Sequence, residues 1–97
     1  MLLDQECCVY IMTNRHNTVL YTGVTGDLKK RVWDHKAGVG STFASRYRTT
    51  KLVYYAVTPS ITSAILREKQ IKGGSRKKKV DLIDGMNPSW IDLSDTL

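Results

Sequence analysis

Apolar residues run from Cys7 to Met12, give way to the polar, turn-prone stretch Thr13-Asn14-Arg15-His16-Asn17-Thr18, and resume from Val19 to Val24. That is the pattern of a β-hairpin. Neither flank alternates cleanly, which predicts strands covered on both faces, by helices packed on a small sheet. A symmetric four-residue connection over Asn14 to Asn17 makes paired positions sum to 31, setting Tyr10 directly opposite Tyr21 on one face. Thr25 or Asp27 can then cap a helix that runs to about Ala37 and stops at Gly38. Leu28 and Val32 supply its apolar contacts, while Asp27, Arg31 and His35 recur every four residues on a second face. Residues 38 to 51 read as a loop, with Val39-Gly40-Ser41 at its start, and Leu52 to Val57 as a third strand ended by Thr58-Pro59. Ser60 or Thr62 opens a second helix reaching Lys72 and closed by Gly73-Gly74. Its apolar stripe is Ile61, Ala64, Ile65 and Ile71, with Glu68 on the stripe. Ser75 caps a third helix, Arg76 to Asp84, with Val80 and Ile83 inward. The expected fold is α+β: a three-stranded antiparallel sheet flanked by helices in the order ββαβαα. One domain spans 1–97, with a core over about 7–84 and a tail over 85–97.

The 97 residues suit one modest core, and 41% apolar with 25% charged residues is ordinary for a folded chain. Fifteen Lys and Arg against nine Asp and Glu leave a net charge of +6, which suits a polyanion and makes nucleic acid the first candidate partner. The cations gather in two places. Arg46, Arg48 and Lys51 share the 38–51 segment with Phe43 and Tyr47, a mixture suited to phosphates and stacked bases. Arg76, Lys77, Lys78 and Lys79 stand at a helix start, where positive charge opposes the dipole and points to a use outside stability. Cys7 and Cys8 are adjacent, with no CxxC or histidine cluster, so they build neither a disulfide framework nor a zinc site. No apolar run is long enough to span a bilayer, and Met1 to Glu6 carries acids instead of a basic leader. A soluble, cytoplasmic, membrane-free protein is expected.

A strand tyrosine is ordinarily a half-buried core residue, an i,i+4 arginine and histidine a solvated face, and a helical glutamate an ion-pair partner. Together, Tyr10, Tyr21, Arg31, His35 and Glu68 are what hydrolysis of a phosphodiester needs: a base, a cation for the charge developing on phosphate, and an oxygen ligand for a divalent metal.

Cys8-Val9-Tyr10 followed by Tyr21-Thr22-Gly23, then Arg31, His35 and Glu68, resembles the GIY-YIG nuclease domain. Arg67-Glu68-Lys69-Gln70-Ile71-Lys72 and Asn87-Pro88-Ser89-Trp90 are similar to its short stand-alone bacterial members. The first triplet has Cys8 and Val9 where the family has Gly and Ile, and the second has Thr22 for Ile. The resemblance implies an active site of Tyr10, Tyr21, Arg31 and Glu68, with His35 at a position that holds His or Tyr in relatives. Asn87 is the only downstream match for the family's asparagine. It further implies a metal-dependent endonuclease acting on DNA, with one Mg²⁺ or Mn²⁺ held by Glu68, in a repair or recombination setting. Tyr21 or Tyr10 would help activate water. Arg46, Tyr47, Arg48, Lys51 and Arg76 to Lys79 would grip DNA, alone or beside a separate DNA-targeting protein. The competing expectation is a catalytically silent, basic nucleic-acid-binding module.

Overall fold

A computed structural model of the chain describes residues 7–39 and 42–97. Strands β1 (Cys7–Thr13) and β2 (Leu20–Thr25) form the hairpin; α1 (Leu28–Ala37), α2 (Thr42–Tyr47), β3 (Lys51–Thr58), α3 (Ile61–Lys72) and α4 (Arg76–Met86) follow, and a 3-10 turn covers Leu93–Thr96. The antiparallel sheet has the order β2-β1-β3, so the class is α+β as expected. What the sequence suggested for Met1 to Glu6, Gly40 and Ser41 lies outside the described residues.

The hairpin register differs from the expected one. Tyr10 pairs with Gly23 and Met12 with Tyr21, because the connection has six residues, 14–19, between Thr13 and Leu20. Asn14 builds it: Oδ1 accepts the N–H groups of Thr18 and Val19 at 2.8 and 3.0 Å, and Nδ2 donates to the Thr18 hydroxyl. Such side-chain mimicry of a turn is a common use of asparagine. The slip is two residues, and side chains alternate with period two, so Tyr10 and Tyr21 stay on one face.

Because β1 is the middle strand, it is buried on both sides. Val9 and Ile11 pack with Val53, Ile71 and Ile83 in a layer with α3 and α4. Tyr10 and Met12 pack with Leu28, Val32 and Leu52 in a layer with α1. A bulge where Ile11 pairs with Tyr54 and Met12 with Leu52 lets Val53 and Tyr54 both serve the first layer. The buried Asn87 amide donates to the Val53 carbonyl there, at 3.2 Å, and straps the C-terminal segment through Ile91.

Capping follows the sequence: Asp27, Ser60 and Ser75 each accept an N–H of the first turn, and Gly38 ends α1 at φ 75°. Three local expectations change. Segment 38–51 contains α2, held by Phe43 and Tyr47 one turn apart with ring centroids 4.7 Å from each other. Helix α4 runs on to Met86. Ile61 and Ile65 are 51% and 41% exposed, since the sheet covers only the line through Ala64 and Ile71. Among the described residues no helix is long and apolar enough to cross a membrane.

Candidate active site

Tyr10 is fully buried, and its hydroxyl is bonded to a side chain of α1. His35 Nε2 lies 3.1 Å away, and Arg31 and the Tyr21 phenol are close enough to act on its ionisation. One turn of α1 supplies both Arg31 and His35, as their spacing requires. His35 is buried and stacks edge-on against Tyr10 and Tyr21, with centroids 5.7 and 4.9 Å away; the tyrosine centroids are 6.2 Å apart. On its other side, His35 Nδ1 meets Thr49 Oγ1 at 3.3 Å. Arg31 is turned by Asp34, 3.8 Å away, which also holds Lys30.

The electrostatics separate the two tyrosines. Burial pushes the Tyr10 phenol up to about 12 against the opposing pull of Arg31, with the Tyr21 phenol adding to the rise. Tyr10 therefore keeps its proton at neutral pH and, without solvent contact, positions its neighbours. Tyr21 is half-exposed and is the phenol that can meet a solvent molecule. Burial, helped by the Arg31 charge, lowers the His35 pKa, so the imidazole is neutral near pH 7. The Tyr10 hydroxyl beside it, with the charge of Asp34 adding, raises the Arg31 pKa despite partial burial.

These shifts predict the pH dependence of stability. Tyr10 is protonated more readily when folded, so its contribution is complete below pH 10 and is lost as pH rises from 10 through about 12. The swing is about 2–3 kcal/mol, and it should vanish in Tyr10→Phe when denaturation midpoints are followed across that range. His35 has the opposite sense: stability is level above about pH 6.5 and declines as pH falls through its lowered pKa.

The remaining candidates surround this cluster unevenly. Glu68 is 19% exposed and pairs with Lys72 at 2.8 Å, so Lys72, and not Arg31, offsets its charge. Lys72 meets Tyr21, Phe43 and Lys79 in a hollow of about 260 Å³ at the β2 edge. A second hollow, about 340 Å³, brings Arg15, Lys36 and Arg48 against His35. Arg46 lies over the exposed Tyr47 ring at 5.7 Å, and Lys51 is half-exposed on β3. Of the α4 cations, Arg76 holds the hairpin carbonyls of Asn17 and Thr18, Lys77 pairs with Asp81, and Lys78 lines a groove against α3. Asn87 bonds to backbone groups of Val53 and Ile91, none of them in the tyrosine cluster. Thr49 and Lys72 are the additions that sequence reasoning missed. Thr49 has no local signature, but Lys72 stands four residues after Glu68, a spacing that brings the two together.

Over residues 6–81 the sequence matches the GIY-YIG catalytic domain. The chain is 37% identical over 76 residues to a UPF0213 protein of Staphylococcus haemolyticus, covering 78% of this chain and 92% of that protein. A UPF0213 protein of Haloquadratum walsbyi is 35% identical over 65 residues, 67% of this chain and 73% of that one. The solution NMR structure of a UPF0213 protein from Bacillus halodurans is 27% identical and superposes with a TM-score of 0.54, over 88% of this chain and 89% of that chain.

Proposed function

The chain belongs to the GIY-YIG family of nuclease catalytic domains, and from that membership we propose that it is a metal-dependent endonuclease that hydrolyses DNA phosphodiester bonds in repair or recombination. The observation that carries this reading is the buried Tyr10 hydroxyl, bonded to His35 Nε2 at 3.1 Å while its ionisation is governed by Arg31 and Tyr21 as well as by burial. A structural core tyrosine needs one partner. This one is bonded to a neutral imidazole and also feels a cation and a half-exposed phenol.

A neutral His35 that donates Nδ1–H towards Thr49 leaves Nε2 as the acceptor of the Tyr10 O–H. The Tyr10 oxygen would then accept from Tyr21, the half-exposed phenol of the pair. A proton leaving the attacking water passes to Tyr21 as the Tyr21 proton moves to Tyr10 and the Tyr10 proton to His35. No phenolate need accumulate, which suits a phenol held near 12. Arg31 stabilises the negative charge that builds on phosphorus.

The donor set fits a hard divalent cation, Mg²⁺ or Mn²⁺, with Glu68 as its protein ligand. Among the described residues no three His, Cys, Asp or Glu side chains converge; a Mg²⁺ on Glu68 would keep waters and take substrate phosphate oxygens, as Mg²⁺ sites with one or two carboxylates do. When bound, the ion supplies Lewis-acid polarisation of the phosphate and neutralises the leaving oxygen. Arg46, Tyr47, Arg48, Lys51 and the α4 cations offer phosphate and stacking contacts without a base-reading element, which supports sequence-tolerant grip on DNA, alone or with a targeting protein.

Glu68→Gln is the test. The Glu68–Lys72 pair is open to solvent on its lysine side, 55% exposed, so its loss should cost less than about 1 kcal/mol. Metal-dependent nicking of plasmid or branched DNA should disappear while melting temperature and DNA binding barely move. Full nicking by the variant would exclude the ligand role. Salt-sensitive DNA binding with no nicking by the parent protein would identify a silent binding module.

A further inference from the structure

The β2-edge hollow combines features that the tyrosine cluster does not use. Its wall is lined by the half-exposed Tyr21, by Phe43 and by two lysines, Lys72 from α3 and Lys79 from α4. The Lys79 ammonium makes a long bond to the Gly74 carbonyl, 3.5 Å, at the α3–α4 junction. Lys72 is bound elsewhere: its ammonium sits 2.8 Å from Glu68 Oε2. A half-exposed lysine on a four-carbon stem can exchange one anion for another by a rotamer change.

We propose that this hollow is a phosphate subsite for the nucleic-acid strand beside the cleaved bond, and that Lys72 leaves Glu68 when phosphate enters it. The inference rests on the reading of Glu68 as the ligand of the divalent ion. Without substrate, Lys72 neutralises the carboxylate and competes with the ion for it. A phosphate between Lys72 and Lys79 draws the ammonium away and leaves Glu68 with its full negative charge beside the strand. Phosphate and divalent ion thus bind cooperatively, each strengthening the other by the same factor. The ion is admitted with DNA and is held weakly in its absence.

The experiment uses Mn²⁺, followed by electron paramagnetic resonance, and sulfate as a phosphate surrogate, followed by the amide NMR shifts of Tyr21 and Thr22. In the parent protein, sulfate should shift these amides and tighten Mn²⁺ binding by about fivefold. Lys72→Met, without sulfate, should bind Mn²⁺ about two- to fivefold more tightly than the parent, the size of the removed ion pair, and sulfate should no longer tighten it. Lys72→Arg, which keeps the charge, should retain the coupling. Mn²⁺ binding that requires Glu68 but is indifferent to Lys72→Met, or sulfate shifts confined to other surfaces, would overturn this inference alone. Mn²⁺ binding unchanged in Glu68→Gln would overturn the ligand reading and this inference with it.

Discussion

Arg31→Ala should lower the rate of DNA cleavage by about 10²–10³, the effect of removing one preorganised group that faces charge developing in a transition state. The fold should survive, because Arg31 is a third exposed and its other partner, Asp34, keeps Lys30. Two spectroscopic changes identify the cause. The Arg31 charge helps burial to hold the His35 pKa down, and it pulls the Tyr10 pKa down against burial. Without the guanidinium both rise: imidazole NMR signals should titrate at higher pH, and the Tyr10 phenol should resist ionisation still more than in the parent. A variant that cleaves at the parental rate would remove Arg31 from the chemistry, whatever the imidazole does.

Gly23→Ala should be the most damaging small substitution in the hairpin. A Cβ on Gly23 would lie 2.5 Å from the Tyr10 hydroxyl oxygen and 2.6 Å from the ring carbon bearing it. The Tyr10 ring lies across the bare backbone of its cross-strand partner. It cannot swing aside, because it is fully buried and its hydroxyl is engaged by His35 at 3.1 Å. Overpacking of this kind costs about 1–3 kcal/mol, which in a chain of this size lowers the melting temperature by roughly 5–20 °C. Cleavage should fall too, since the displaced hydroxyl loses His35. Gly26→Ala is the control: a Cβ there meets nothing within 4 Å. Equal melting of the two variants would contradict the packing of Tyr10 on Gly23.

The shared face of Tyr10 and Tyr21 was legible in the sequence because alternation along a strand is unaffected by a slip of two. Their pairing was not, since the six-residue connection depends on hydrogen bonds from one Asn14 side chain that the sequence pattern leaves unspecified. The short helix α2 was hidden for a related reason. Six residues have little intrinsic helix stability, and what holds them is tertiary: Phe43 packs on Tyr21 at 5.5 Å and Tyr47 on Phe43. Spacing placed Arg31 and His35 together correctly, but not the depth to which His35 is buried, which depends on Thr49 arriving from 14 residues away. Glu68 stood out as a carboxylate on an apolar stripe, although the stripe itself is half open to solvent.

Strand β1 divides its labour residue by residue: Val9 and Ile11 face the layer of α3 and α4, while Tyr10 and Met12 face the layer of α1. The apolar packing of α3 and α4 and the cluster of Tyr10 and His35 therefore meet opposite sides of one strand. Apolar exchange in the α3–α4 layer can adjust resistance to unfolding while the phenol, imidazole and guanidinium keep their spacing. The side holding Tyr10 has less latitude, because Tyr10 there is packed on Gly23 and bonded to His35. A small protein with a single sheet thus gains room for sequence drift on one surface of that sheet and almost none on the other.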